Sequence, residues 1–250
     1  MSGHNKWAKI KRKKGVNDAK RGRTFTRLIK EMTIAARDGG GNAAGNPRLR
    51  LAIEKAQAAN MPAENIKRAI QRGTGELPGI SYEEVTYEGY GPGGVALMIE
   101  SVTDNKNRTV AEIRHLLEKY GGKLGAANSV SRLFHYKGIL TIPRENFNED
   151  DVMSIALEAG ADDMRTDEDS YQIITAPESF EAVRQALEAK GIKPEEAEVQ
   201  LVPENTIHLE GKEAEQLLKL MEILEDNDDL QHVYANFDID EKVMATFNAE

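Results

Sequence analysis

Lysine and arginine side chains carry the chemistry that stands out in this chain of 250 residues. The run Lys6-Trp7-Ala8-Lys9-Ile10-Lys11-Arg12-Lys13-Lys14 is followed by Lys20, Arg21, Arg23 and Arg27. Arg48 and Arg50 come next, then Lys67 and Arg68, and later Lys106 and Arg108 within a polar cluster. Cations at this density neutralise phosphates and release condensed counterions, so they suit a nucleic acid held with an affinity that falls as salt rises. A solvated face or a disordered arm is the plain alternative for any Lys/Arg run. The distribution of charge weakens that alternative. Residues 1–75 hold 18 Lys+Arg against 5 Asp+Glu and the remainder 15 against 37, so a head of +13 precedes a body of −22. A chain kept soluble by charge alone mixes the two signs. Trp7, the single tryptophan, could stack on an exposed base or anchor its segment in a core, and anchoring is the favoured reading.

Other chemistries find little to work with. Cysteine is absent, which removes disulfides, thiolate zinc sites, iron-sulfur clusters and thiol nucleophiles together. His4, His115, His135, His208 and His232 show no H-E-x-x-H spacing, and neither a G-x-S-x-G elbow nor a phosphate loop occurs. Gly89 to Gly94 match G-x-G-x-x-G in letters, but they lead into the strand-like Val95-Ala96-Leu97-Met98-Ile99 and not into a helix. A hairpin turn is therefore expected, with Gly91 the candidate for a positive φ. The acidic runs Glu149-Asp150-Asp151, Asp167-Glu168-Asp169 and Glu225 to Asp229 lack the spaced ligands of a calcium loop and read as solvated ends and turns. An enzyme built on Asp104, Arg108 and His115 would lack a nucleophile paired with a base. The expectation is no catalysis, no cofactor, no metal and no small-molecule substrate. No apolar stretch approaches membrane-spanning length and the N-terminus opens with charges, so a cytoplasmic protein with no membrane partner is expected.

The elements that must position these cations can be read from periodicity. Phe25, Leu28, Ile29, Met32 and Ala36 line one face of a helix, with Arg27, Lys30 and Arg37 off it and Thr24 as its cap. Four glycines between Gly39 and Gly45 end that helix, and Asn46-Pro47 begins a second with Leu49, Ala52, Ile53 and Ala56 inward. After Pro62 a third places Ile66, Ala69 and Ile70 inward, with Lys67, Arg68 and Arg72 outward. Beyond Leu77-Pro78-Gly79 the period turns to strands: Val85 to Tyr87 and Val95 to Val102, then a helix with Thr109 and Glu112 as a capping box. From Lys137 strands and helices alternate, with Asn148 capping one helix and Gly160 and Gly191 ending two. The fold class expected is α+β: a basic N-terminal helical bundle followed by two small α/β sandwiches of the ferredoxin-like, split βαβ kind. Residues 79–136 supply too few strands to close a sheet, and residues 204–250 supply more. The domains expected are therefore 1–78, a discontinuous unit of 79–136 plus 204–250, and an inserted acidic unit at 137–203. Lys106 and Arg108 would add a secondary phosphate contact, and Gly121 to Asn128 form either a tip that approaches a ligand or an ordinary long loop.

Several blocks in order resemble the YebC/PmpR family: Ser2-Gly3-His4-Asn5-Lys6-Trp7-Ala8, Asp18 to Gly22, Asn46-Pro47-Arg48-Leu49-Arg50, Tyr87 to Gly94, and Asp104-Asn105-Lys106-Asn107-Arg108-Thr109. The resemblance spans essentially the whole chain and implies three domains with one inserted in another. It also implies a non-enzymatic nucleic-acid-binding regulator of gene expression, foremost a DNA-binding transcriptional regulator. The alternative is a translation factor that binds ribosomal RNA.

Overall fold

The computed structural model describes residues 7, 18–167 and 169–247. Three helices build the head: α1 (Asp18–Gly39), α2 (Pro47–Ala58) and α3 (Ala63–Gly73). Their apolar stripes meet in one cluster in which Met32, Ala35 and Ala36 of α1 face Leu49, Ala52 and Ala56 of α2 and Ile66 and Ala69 of α3. Asn46 joins two of the helices through both ends of its amide. Its Oδ1 accepts from Leu49 N (3.1 Å), while Nδ2 donates to the carbonyls of Ala35 (2.7 Å) and Gly40 (2.9 Å). Helix α1 already runs from Asp18, so Thr24 lies inside it and does not cap it. Gly73 ends α3 against α1, where a Cβ would stand 2.3 Å from Thr33 O, so only glycine lets the two backbones cross this closely.

A four-stranded antiparallel sheet forms the second unit, in the order β3-β1-β2-β9: β1 (Glu83–Tyr90), β2 (Ala96–Thr103), β3 (Lys123–Leu124) and β9 (Leu230–Ala235). On one face it carries α4 (Lys106–Lys119) and α7 (Gly211–Asp226), with Leu97, Ile99, Ile113, Leu117, Leu217 and Met221 in the shared core. The other face presents Ala96, Met98 and Tyr234 to Val130, Phe134 and Leu201. The β1–β2 hairpin has the expected glycine turn, but Gly91 is extended, with φ −88° and ψ −174°. Positive φ falls on Gly93 (+66°) and Gly94 (+78°). Helix α4 starts three residues before Thr109 and is capped by Asn105, whose side chain accepts from Arg108 N (3.1 Å). Thr109 is buried within the helix and is not the Ncap of a capping box.

A second four-stranded sheet, in the order β5-β6-β4-β7, is antiparallel throughout: β4 (Phe134–Pro143), β5 (Ala161–Thr166), β6 (Ser170–Thr175) and β7 (Glu196–Pro203). Helices α5 (Glu149–Glu158) and α6 (Phe180–Ala189) cover it, in the split βαβ arrangement. The edge strand β5 was not expected, because Ala-Asp-Asp-Met-Arg-Thr has no apolar alternation and only Ala161 and Met164 lean on the core. Of the strands expected in residues 204–250, the first does not join a large sheet. Instead β8 (Ile207–His208) pairs in parallel with β10 (Phe237–Asp238), and α8 (Glu241–Phe247) follows.

Candidate nucleic-acid interface

Helix α1 places Arg23, Arg27 and Lys30 at i, i+4 and i+7, hence on one face. That face meets the C-terminal end of α7, where the helix's last carbonyls and the run Glu225 to Asp229 concentrate negative charge. Arg23 Nη2 lies 3.3 Å from Asp226 Oδ1. Arg27 donates to the carbonyl of Asn227 (3.0 Å) and to that of Glu225, and its buried Nε has no hydrogen-bond partner among the described residues. Burial pulls the Arg27 guanidinium below the usual arginine range against the pull of Glu225, Asp228 and Asp226. Lys30 is buried and donates to the carbonyls of Val102 (3.1 Å) and Asp228 (2.9 Å) and to Asp229 Oδ1 (2.6 Å).

Asp229 gathers the other side of this junction. Its Oδ2 accepts from Arg108 Nη2 (2.7 Å) and Thr109 Oγ1 (2.8 Å), with Thr103 Oγ1 at 3.2 Å. Burial works against the Asp229 carboxylate, but Arg108, Lys30 and Thr109 outweigh it and hold the group at about 2. By periodicity Lys30 lies off the apolar face, and by composition the Glu225–Asp229 run is a solvated turn. The structure makes both part of a clamp between head and body. The available signal was the i, i+4, i+7 row of cations.

The remaining candidates divide by their partners. Trp7 is fully buried in the core of the second unit, where Nε1 donates to Glu225 Oε1 (2.9 Å) and the ring lies 6.1 Å from that of Phe247. It anchors, as expected, and its faces are closed to a base, so Trp7 is a core residue and not a nucleic-acid contact. Lys106 pairs with Glu83 of β1, and Arg108 bridges Asp104 (2.8 Å) and Asp229, so carboxylates of the protein itself neutralise both cations expected at a phosphate. Arg48 is half-exposed between Glu31 (2.7 Å) and Glu84, which raise its pKa above the usual arginine value. Lys55 reaches Glu198 of β7 (2.8 Å). Arg21 is exposed and stands 5.5 Å over the Phe25 ring. Arg50, Lys67, Arg68 and Arg72 are exposed as well, with Arg68 Nε on Glu64 (3.0 Å). Arg68 and Arg72 line a shallow cleft with Ile29, Asn65 and Ala69. Lys20 lies in α1. Lys6, Lys9, Lys11, Arg12, Lys13 and Lys14 lie outside the described residues.

The Gly121–Asn128 segment is pinned. Glu88 accepts from the backbone N–H of Asn128 (2.7 Å), Val130 (2.6 Å) and Ser131 (3.0 Å), which hold its carboxylate below the ordinary value although burial opposes this. Among the described residues no cluster of three or more His, Asp or Glu is arranged to hold a metal, and no helix is long and apolar enough to cross a membrane.

Comparison with known proteins matches this architecture in two blocks. Residues 5–76 match the TACO1/YebC protein N-terminal domain, and residues 82–237 match the TACO1/YebC second and third domain. The chain belongs to the TACO1/YebC family. Relatives within the TACO1/YebC family include a protein of Syntrophus aciditrophicus, 57% identical over 250 residues and covering 100% of both chains. Another, from Dictyoglomus turgidum, is 56% identical over 249 residues and covers 99% of this chain and 100% of its own. Both carry the name "Probable transcriptional regulatory protein". A solved structure, a conserved hypothetical protein Aq1575 from Aquifex aeolicus, is 46% identical, with a TM-score of 0.80 over 89% of this chain and 92% of that one. The α+β fold of this TACO1/YebC chain thus has a counterpart in a solved structure.

Proposed function

We propose that this protein is a non-enzymatic, cytoplasmic regulator of gene expression that binds DNA through its basic head and acts on transcription. The carrying observation is the segregation of charge, +13 in residues 1–75 against −22 in the rest. The names of its relatives support the regulatory role. Because Arg23, Arg27 and Lys30 are engaged with the body, the DNA surface consists of Lys6, Lys9, Lys11, Arg12, Lys13 and Lys14 together with Arg21, Arg50, Lys67, Arg68 and Arg72. The head corresponds to residues 1–78, and the two acidic units to 79–136 with 204–250 and to 137–203. The acidic units repel phosphate and so confine contact to the head.

Crosslinking of the tagged protein in cells, with bound DNA and RNA sequenced from one sample, tests the assignment. Reads concentrated at promoter DNA are expected. Reads concentrated on ribosomal RNA would replace it with a translation factor docked through the same head. In vitro, changing Lys11, Arg12, Lys13 and Lys14 to Ala should flatten the salt dependence by roughly 0.9 per lost phosphate contact on duplex DNA. An unchanged slope would remove this run from the surface.

A further inference from the structure

Two arginines one helical turn apart on α3, Arg68 and Arg72, flank the cleft whose floor is Ile29 and Ala69 and whose rim includes Asn65. Ala69 is buried and Ile29 half-buried, so the floor is apolar and small, while both guanidinium groups are exposed. Arg68 contacts Glu64 through Nε, which leaves its two terminal nitrogens for an acceptor. Arg72 is steadied at its stem: a Cβ added at Gly79 would lie 3.2 Å from Arg72 Cβ and Cγ, so the linker backbone rests against it. Tyr82 is near enough for its hydroxyl to feel the Arg72 charge.

We propose that this cleft is a binding site for one unpaired nucleotide of a nucleic-acid strand. The phosphate sits on the Arg68 and Arg72 forks, and the base lies over the half-buried Ile29 between the two arginine side chains. Planar guanidinium groups combine bidentate phosphate recognition with stacking on a ring, which an ammonium cannot do. A paired base inside a duplex keeps both faces stacked and cannot reach the floor, so the site selects strand that is single or locally opened. Asn65 can donate to or accept from a base edge. This rests on the reading of the head as a nucleic-acid surface and adds to it what that surface distinguishes.

The test compares a labelled oligothymidylate strand with a labelled duplex of equal length, by fluorescence anisotropy on the full chain. The variants are Arg72→Ala, Arg72→Lys, Asn65→Asp and Lys67→Ala, each checked for an unchanged melting curve. The expected result is a loss of about tenfold on the single strand for Arg72→Ala and Asn65→Asp, with a clearly smaller loss on the duplex. Arg72→Lys should fail to restore single-strand affinity, and Lys67→Ala should weaken both ligands alike. Equal losses on strand and duplex, or none on the strand, would overturn the nucleotide site while leaving the head a nucleic-acid surface. Wild-type protein that binds neither ligand would overturn both.

Discussion

Asp229 is the residue on which the junction of head and body turns. One carboxylate holds Lys30 and Arg108, a lysine from α1 and an arginine from α4, and both of its oxygens are engaged. Removing one member of such a buried set leaves charge uncompensated, so Asp229→Asn should cost about 3 kcal/mol, read from urea unfolding at neutral pH. The same group sets an acid limit. Its pKa falls from 3.8 to about 2 on folding, so its stabilisation is complete above about pH 4 and lost as pH drops through 2. At about 1.4 kcal/mol per pH unit this amounts to about 2 kcal/mol, and the Asn variant should lack that slope between pH 4 and 2. An equal acid slope in both proteins would assign the loss to other carboxylates. None of this was legible at residue level, because Asp229 sits in an acidic run whose composition is that of a solvated turn.

At the scale of elements much was legible. Asn46 with Pro47, Asn148, and the glycines that close the helices mark boundaries by local chemistry, and the structure has helices starting at those caps. The glycine-rich hairpin was legible as a turn, but the strained position within it was not. Gly93 has φ +66°, and a Cβ there would lie 2.3 Å from Leu209 Cδ2, whereas Gly91 is extended. Gly93→Ala should therefore lower stability by about 1–2 kcal/mol from backbone conformation alone, before Leu209 moves. Gly91→Ala should cost less, since its nearest contact is Leu217 Cδ1 at 3.0 Å. Denaturant midpoints of the two variants decide this, and the reverse order would contradict the turn geometry. Strand β5 escaped detection for a related reason: an edge strand with polar residues on both faces satisfies its backbone through β6 and leaves little hydrophobic period.

On the scale of the whole molecule, the single tryptophan reports how the N-terminal segment docks. Trp7 is closed in the core of the second unit and bonded to Glu225, 218 positions away. Its emission should be that of a buried indole and should stay unquenched when DNA saturates the head. Quenching in step with binding would mean that Trp7 leaves the core to meet a base. Charge segregation, the Asn46 and Asn148 caps, the hairpin and the α+β class were determined by the sequence itself, because each depends on neighbours within a few turns or on composition. Only the tertiary structure decided which cations remain available. Arg27 and Lys30 find their partners about 200 positions away, whereas Lys67, Arg68 and Arg72 stay at the surface. Periodicity encodes which face of a helix is apolar, but the carboxylate or carbonyl that a charged face meets depends on how separate units pack.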